Sequence, residues 1–446
     1  MNDFKKRMPN SRKIMLVFLV IIVIGALLLM LPIATREGET TTFTGAMLSS
    51  VSATCVTGLV AYDTWSHWTI FGQLVLLTEI QIGGLGFITI VTFAMIVLKK
   101  KIGVSRRTLI HDSFNTLQLR GSVRLVRRIV MGTIFFEGMG ALLLAIRFIP
   151  EHGAIKGLYY GVFHAVSAFC NGGFDLMGYQ TPYTSLTNYV GDPLVILVVS
   201  ALIIIGGIGF LVWEDIYENK LHFSRYQFQT KLVLLTTFGL LVGATILFYI
   251  MENHHLFAGM SEKDKWLAAF FSAVTPRTAG FNSVDTDALS GGSIFLTMVL
   301  MLIGGSPGST AGGIKTTTFI VIVLYLKAYL FRERDCVIFK KRIDDEDVRK
   351  ASVVMFINLF LASIGALIIL GNQTLVFRDV MFEVYSAIGT VGMSTGVTRD
   401  LTTVSQIVIM VLMYCGRMGS LTIAMSLTER RRTGKVRYPA EHISVG

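Results

Sequence analysis

Eight stretches of apolar sequence constrain this chain more than any other feature. They lie at 14–35, 70–98, 129–149, 194–213, 232–251, 293–330, 351–370 and 403–428. A helix needs about 20 mostly apolar residues to cross the hydrocarbon core of a bilayer. Only 15% of the 446 residues are charged, against about 25% in a typical soluble domain. The sequence therefore predicts an all-α polytopic membrane protein with eight transmembrane helices and excludes a large soluble catalytic domain.

A shorter apolar segment lies between the two spans of each successive pair. These segments are at 42–54, 157–170, 264–274 and 376–387. None is long enough to cross the bilayer, so each is predicted to be a re-entrant half-helix. The span at 293–330 is too long instead, since one continuous helix would reach roughly 57 Å. It contains the string GGSPGSTAGG, and we expect it to break inside the membrane.

The basic residues are divided unequally between the two sides of the predicted bundle. The N-terminus and the segments 99–128, 220–231, 327–350 and 430–437 carry 30 Lys and Arg, whereas the opposite side carries seven. The positive-inside rule then places both termini in the cytoplasm. Because the excess basic residues lie on the cytoplasmic side, the net charge of +11 does not indicate that the protein binds nucleic acid. The apolar run at 14–35 is too long for a signal-peptide core, so it is predicted to be the first span.

Related strings follow the four half-helices. They read SATCVTGL from Ser52, SAFCNGGF from Ser167, SAVTPRTAGF from Ser272 and SAIGTVGM from Ser386. The third needs two extra residues before its late glycine. The late glycines, called the filter glycines here, recur at intervals of 115, 107 and 112 residues, at Gly58, Gly173, Gly280 and Gly392. This period predicts four repeats of one orientation, at 1–108, 109–220, 221–345 and 346–446.

The repeated string has a physical interpretation. Four half-helices entering from one side would point their C-terminal ends at a common axis, where the partial negative charge favours a cation. Extended return segments would then line the axis with carbonyl oxygens that replace a hydration shell, and a glycine would supply positive φ without strain. One such glycine alone would more often be a helix-packing residue, but four favour a selectivity filter. The predicted filter residues are Val56, Thr57, Gly58, Asn171, Gly172, Gly173, Thr278, Ala279, Gly280, Thr390, Val391 and Gly392.

With these strings, the whole chain resembles the Trk/Ktr/HKT superfamily of potassium and sodium translocation proteins. It is most similar to bacterial KtrB/KtrD-type membrane subunits. The resemblance implies four M1–P–M2 repeats (outer helix, half-helix, inner helix), like those of potassium channels, with pseudo-fourfold symmetry around a central pore in a bacterial cell membrane. It also implies potassium uptake, because a serine at the position of Gly58 tends to mark sodium-preferring members. A sodium-selective or weakly selective pathway of the same fold is the alternative.

The break in the long third-repeat span has two competing explanations. The break resembles the phosphate-binding motif G-x-x-x-x-G-K-[ST], since Gly308 and Gly313 are correctly spaced. The match fails by one residue, because Ile314 stands between Gly313 and Lys315. The favoured explanation is an irregular loop that lines a wet cavity under the filter, and a packed Gly/Pro kink is the alternative. The resemblance implies that this intramembrane loop gates the pore. It comprises Gly304, Gly305, Ser306, Pro307, Gly308, Ser309, Thr310, Ala311, Gly312, Gly313, Ile314, Lys315 and Thr316.

Arg417 is a charge in the middle of the last span. Such a residue should face the bundle interior or water. It either is satisfied by backbone carbonyls or an acid such as Glu79 or Glu137, or forms a positive barrier below the filter, where similar proteins place an arginine. An intramembrane enzyme using Glu79, His164 and Arg417 would leave the fourfold repeat unexplained, so we predict no enzymatic activity.

The basic segment 99–128 indicates a cytoplasmic interaction surface. It suits anionic lipid headgroups or a cytosolic protein. The resemblance favours a protein, because Ktr-type membrane subunits form homodimers on a ring of RCK-type nucleotide-binding subunits (KtrA/KtrC-like). ATP or ADP would then act only through that partner. This chain itself is predicted to need no cofactor or transition metal, and to handle K⁺ with a role for Na⁺.

Overall fold

The computed structural model describes residues 10–98, 122–179, 181–220, 222–420 and 441. A two-stranded antiparallel hairpin pairs β1 (Val337–Ile338) with β2 (Lys341–Arg342). The α-helices are α1 (Asn10–Leu29), α2 (Phe43–Thr54), α3 (Ile70–Leu85), α4 (Phe87–Val97), α5 (Ser122–His152), α6 (Ala154–Phe169), α7 (Pro193–Gly207), α8 (Phe210–Asn219), α9 (Phe228–Glu252), α10 (Glu262–Val274), α11 (Gly291–Leu302), α12 (Thr316–Leu330), α13 (Asp345–Asn372), α14 (Phe377–Gly389) and α15 (Thr403–Met418).

One helical unit recurs four times along the described chain. Each unit starts with a long apolar helix, namely α1, α5, α9 or α13, and these four are long and apolar enough to cross a membrane alone. A half-helix follows each of them, namely α2, α6, α10 or α14, and packs against it. An irregular return segment and further apolar helices complete the unit. The all-α fold with four M1–P–M2 units is therefore the one expected from the sequence.

The second span is less regular than the sequence predicts in the first three units. Gly86 separates α3 from α4 with φ of +79°, and Gly209 separates α7 from α8 with φ of +100°. The second pair is bent by 95°. Residues 303–315 separate α11 from α12. Within the described residues, which include 403–420 of the last expected span, four of the eight expected spans are long unbroken helices, and the bent pair counts as a fifth. We expected only the third-repeat break, because an isolated glycine is compatible with a continuous helix.

Close contacts between the second spans and the half-helices explain other glycines. In three repeats, a glycine of the second span lies against a carbonyl oxygen at the C-terminal end of the half-helix. A methyl group added at the glycine would lie only 2.0–2.2 Å from that oxygen. The pairs are Gly83 with Thr54, Gly206 with Phe169, and Gly416 with Ile388. These approaches hold the C-terminal ends of the half-helices at the centre of the bundle.

A small folded element joins the third and fourth repeats on the side that the basic residues assign to the cytoplasm. Phe339 and Lys340 both have positive φ, as a tight hairpin turn requires. The hairpin covers a separate apolar cluster formed by Ala328, Cys336, Ile343 and Val348. The sequence analysis did not predict this hairpin. The predicted interaction segment 99–128 lies largely outside the described residues, which resume at Ser122.

The glycine contacts predict a specific stability change. Gly83→Ala places a methyl group 2.1 Å from the Thr54 carbonyl oxygen. Overpacking of this kind costs about 1–3 kcal/mol, so we expect the Tm of the purified protein in detergent to fall by several degrees. Gly239→Ala in α9 is the matched control, because its methyl group meets nothing within 4 Å. Equal Tm values for Gly83→Ala and the unsubstituted protein would contradict the packing described here.

Candidate functional site

The four filter glycines form a closed ring at the centre of the bundle. A Cβ added to Gly58 would lie 3.0 Å from the Cα of Gly173 and 3.3 Å from the Cα of Gly392. A Cβ added to Gly280 would lie 3.2 Å from both of those Cα atoms. All four glycines have φ between +71° and +97°. A side chain at any of them would therefore be strained and would meet the neighbouring repeats.

Carbonyl oxygens point inward at the same level. A Cβ added at any filter glycine would lie closest to a carbonyl oxygen of the neighbouring repeat, at 2.0–2.9 Å. In each case this oxygen belongs to the residue just before that repeat's own filter glycine. Those oxygens belong to Thr57, Gly172, Ala279 and Val391. Two residues before each glycine, another left-handed residue turns the chain, with φ of +52° to +67°, namely Val56, Asn171, Thr278 and Thr390. The predicted filter residues are thus brought together at one place.

Buried hydroxyl groups hold three of the return segments. They belong to the serine that lies six residues before the filter glycine. In the first and fourth repeats, the serine Oγ accepts a hydrogen bond from the amide of the filter glycine at 3.0 Å. In the second repeat, the serine bonds the residue after the glycine instead: its Oγ accepts from the amide at 3.0 Å and donates to the carbonyl oxygen at 2.7 Å. The serines are Ser52, Ser386 and Ser167.

The third repeat uses a different hydroxyl. The sequence alignment pairs Ser272 with these serines, but in the structure Thr275 donates to the carbonyl oxygen of Phe281 at 2.6 Å. The amide of Ala279 also bonds the carbonyl of Thr275 at 3.0 Å. α10 ends at Val274, two residues after Ser272, just as α2 and α6 end two residues after Ser52 and Ser167. The two extra residues therefore lengthen the return segment, and Ser272, eight residues before Gly280, lies too early to make the equivalent contact. This difference could not be seen from the strings alone.

The intramembrane loop packs against the underside of the filter. The Thr310 hydroxyl lies 3.1 Å from the carbonyl oxygen of Phe169 and 3.0 Å from the side-chain oxygen of Asn171. A Cβ added at Gly312 would lie 2.1 Å from Oγ1 of Thr390. The loop therefore contacts the second and fourth filter segments directly and stands across the axis below them.

Internal bonds close this loop at its base. The amide of Gly304 donates to the carbonyl of Ile314 at 2.8 Å. Lys315 turns back and donates to the carbonyl of Ala311 at 2.8 Å. Thr316, the last residue of the segment, is already the first residue of α12. Other backbone amides of the loop bond the end of α7: that of Ser306 donates to the carbonyl of Gly207 at 2.9 Å, and that of Thr310 to the carbonyl of Gly206 at 3.3 Å.

Arg417 ties the same loop to the first repeat. Its guanidinium donates to the carbonyl oxygens of Thr310 and Gly83, and to that of Gly84 at 3.3 Å. Carbonyl partners satisfy its hydrogen bonds without neutralising its charge. Of the two alternatives for its partners, backbone carbonyls rather than a carboxylate are therefore observed, and the positive charge remains below the filter.

The two acids considered as partners of this arginine bond elsewhere. Glu79 accepts hydrogen bonds from Ser50 and Thr54 of the first half-helix. Glu137 accepts from the side-chain amide of Gln81 at 3.3 Å. Both acids therefore connect helices behind the filter rather than bonding Arg417.

One further buried arginine was missed as a site residue. Arg277 directly precedes the filter residue Thr278, and its side chain is 6% exposed. Its carbonyl accepts from the side-chain amide of Asn171 at 3.3 Å, and its guanidinium donates to Thr237 at 3.4 Å. The signal was a charge inside the third filter string, SAVTPRTAGF, to which the sequence analysis assigned no role.

A wide vestibule opens on the other side of the filter. This cavity of about 460 Å³ is bordered by all four filter glycines. Asp63, Asp175 and Asp285 contribute carboxylates to its wall, and Arg399 contributes one positive charge. Burial and the neighbouring Asp63 raise the pKa of Asp175 to about 7. The excess of acids attracts cations to the filter, and the sequence analysis missed it because these loops carry no repeated pattern.

Comparison with known proteins agrees with this architecture. A sequence model of the TrkH family, described as "Cation transport protein", matches residues 6–431. The chain is 40% identical to the Ktr system potassium uptake protein B of Bacillus subtilis (strain 168), over 96% of this chain and 95% of that protein. It is 38% identical to the potassium/sodium uptake protein NtpJ of Enterococcus hirae, over 99% and 98%.

A solved structure has the same fold. The crystal structure of the potassium transporter TrkH from Vibrio parahaemolyticus superposes with a TM-score of 0.72 at 16% identity, covering 95% of this chain and 86% of that one. The fold and the ring of glycines define an integral membrane transport protein rather than an enzyme. The chain belongs to the TrkH family of cation transport proteins, so the resemblance drawn from its sequence is confirmed.

The vestibule predicts a dependence on external pH. Because its pKa is raised to about 7, Asp175 is ionised above that pH and protonated below it. We expect Rb⁺ uptake at low Rb⁺ concentration to fall by about twofold as the external pH drops from about 8 to about 6, since one vestibule charge is lost. Asp175→Asn should be slow at both pH values. Asp285→Asn is the control, which should be slower but keep the pH dependence. A pH dependence that survives Asp175→Asn would contradict this role.

Proposed function

We propose that this chain takes up potassium through a selectivity filter built from the four return segments. The observation that carries the proposal is the closed ring of positive-φ glycines with inward carbonyl oxygens between them. Carbonyl oxygens in this arrangement can replace the hydration shell of a monovalent cation. The half-helices α2, α6, α10 and α14 direct the negative ends of their dipoles toward the ring, which stabilises the dehydrated ion.

The proposed path begins in the acidic vestibule and ends in the cytoplasm. The vestibule concentrates hydrated cations, and the ion loses water as it enters the ring. The membrane potential then supplies about 2.3 kcal/mol per charge for each 100 mV. No step needs a resident cofactor in this chain, and K⁺ itself is the substrate.

In this proposal the intramembrane loop is the gate and Arg417 is a barrier that belongs to it. The loop contacts the filter through Thr310, whose carbonyl oxygen is also a partner of Arg417. Opening requires the Thr310–Asn171 contact to separate and the loop to leave the axis. Arg417 both retains the loop and repels a cation that has passed the filter.

Potassium is the proposed substrate, with sodium or a mixture as the second candidate. The Bacillus subtilis relative is named as a potassium uptake protein, whereas the Enterococcus hirae relative is named for potassium and sodium. Glycine at position 58 favours potassium, because it leaves the carbonyl ring free of a side-chain oxygen. The single glycine per repeat makes a thin filter, so sodium competition is the property to measure.

We further propose that the protein acts as a homodimer on a cytosolic ring of RCK-type subunits, through which ATP or ADP controls the gate, and that Na⁺ has a role in transport. The hairpin and α8 give the cytoplasmic side a structured surface in support of this assembly. Arg128 at the start of α5 pairs with Glu214 (2.7 Å) and Glu218 (3.1 Å) of α8. A movement of α8 can be transmitted to the intramembrane loop, because the amide of Phe210 in the first turn of α8 bonds the carbonyl of Gly308 at 2.8 Å.

The proposed repeat boundaries remain 1–108, 109–220, 221–345 and 346–446.

Substitution of a filter glycine tests the selectivity proposal. Gly58→Ser places a side chain 2.9 Å from the Gly172 carbonyl oxygen. We expect Na⁺ to compete with Rb⁺ at about tenfold lower concentration, a change of about 1.4 kcal/mol in ion discrimination. The measurement is tracer uptake in cells that lack their own potassium uptake. Gly38→Ser is the control, because Gly38 also has positive φ (+87°) but has nothing within 4 Å. Unchanged competition in Gly58→Ser would exclude this ring as the filter.

Removal of the barrier charge tests the gate. Arg417→Gln eliminates the positive charge and the bonds to Thr310 and Gly83. We expect Rb⁺ uptake to rise about tenfold at equal surface expression, because one repulsive charge near the path is worth about 1–2 kcal/mol. Arg378→Gln, at an exposed ion pair with Asp287 and Asp379, should leave the uptake rate unchanged. A rate for Arg417→Gln equal to or below that of the unsubstituted protein would contradict the barrier role.

A further inference from the structure

The third repeat differs from the others in how its filter segment is supported. Thr275 takes over the contact that Ser52, Ser167 and Ser386 make elsewhere. Ser272, which occupies the equivalent place in the sequence, is thereby released. It faces a second, much smaller cavity that lies behind the return segment of this repeat.

This small cavity is lined mainly by uncharged oxygen groups. Its volume is about 10 Å³, close to the space that one water molecule occupies, about 10–15 Å³. Val284, Leu289 and Met393 contribute the apolar part of its wall. Its polar wall consists of Ser272, Thr275, Asn282, Ser283, Thr286 and Thr297.

Three oxygen atoms of this wall have no hydrogen-bond partner within the described part of the chain. They are Oγ of Ser283, Oγ1 of Thr286 and Oδ1 of Asn282. Ser283 and Thr286 are each 3% exposed, so bulk water does not solvate them. An unsatisfied buried polar atom costs about 1–3 kcal/mol, and three within a short stretch of chain point to a bound molecule that satisfies them together.

We propose that this cavity binds one ordered water molecule that braces the third filter segment. A water molecule forms two to four hydrogen bonds, can donate to Asn282 Oδ1 and can accept from the two hydroxyl groups. A cation suits the cavity less well, because no carboxylate lines it and an unpaired charge in such surroundings is costly. The proposed effect of the water on the third filter segment rests on the proposed filter, whereas the presence of the water in this cavity does not.

The water site connects the filter to the vestibule wall. Asn282 lies two residues after Gly280, its carbonyl oxygen accepts the amide of Leu186 at 2.9 Å, and its amide donates to Ser185 Oγ at 3.1 Å. Thr286 borders both cavities. The water therefore joins the segment that leaves the filter to the loop that shapes its entrance, and it supplements the Thr275 contact on the third side of the ring.

An experimental structure of the full chain in lipid nanodiscs, at a resolution that shows ordered water, tests the site. We expect one density peak in the cavity at about 2.7–3.2 Å from the Ser283, Thr286 and Asn282 oxygens. Data from crystals grown with Tl⁺ distinguish a cation from water, since only Tl⁺ gives a strong anomalous signal. No density, or an anomalous peak in this cavity, would overturn the proposal, whether or not the filter proposal holds.

The isosteric variant Thr286→Val tests the function of the water. It removes one partner but keeps the shape of the side chain, so we expect the density to weaken and the preference for Rb⁺ over Na⁺ to fall about threefold, the effect of one water-mediated bond. Thr245→Val in α9 is the control, because the Thr245 hydroxyl bonds the carbonyl of Leu241 at 2.7 Å, away from the filter. Unchanged preference in Thr286→Val, with Gly58→Ser still altered, would overturn the brace while leaving the filter intact.

Discussion

The contact among four left-handed glycines around one axis is the constraint on which the rest of this structure depends. Each glycine lies so close to its neighbours that a single added carbon would meet backbone atoms of the next repeat at 3.0 Å or less. The carbonyl oxygens of the residues that precede these glycines point toward the inside of the ring. The half-helices, the return segments and the vestibule are the means by which four separate parts of the chain bring these glycines together.

Two kinds of support hold the ring in place. Outside it, Gly83, Gly206 and Gly416 let the second spans touch the ends of the half-helices, so the half-helices cannot withdraw. Within each repeat, a buried hydroxyl fixes the return segment to its own half-helix. Below, the intramembrane loop bonds the Phe169 carbonyl and the Asn171 side chain through the Thr310 hydroxyl, and it bonds the end of α7 through its own backbone amides.

The sequence predicted the fourfold elements and the break in the third repeat, and it missed several features that differ between repeats. The half-helices and the filter glycines were predictable because length, hydropathy and positive φ constrain four segments in the same way. The breaks at Gly86 and Gly209 were not, since one glycine in an apolar run is compatible with a continuous helix. The exchange of Ser272 for Thr275 depends on the path of the longer third return segment, which only packing decides. The acidic vestibule comes from loops whose charges have no common spacing.

The central claim is that a dehydrated monovalent cation is bound inside the ring of glycines. The most direct measurement is the anomalous density of Tl⁺ or Rb⁺ in a structure of the protein determined with that ion as the only permeant cation. Our account predicts a peak on the axis, at the level of the carbonyl oxygens of Thr57, Gly172, Ala279 and Val391, which K⁺ displaces. Anomalous density confined to the vestibule or to the space below the intramembrane loop would contradict it.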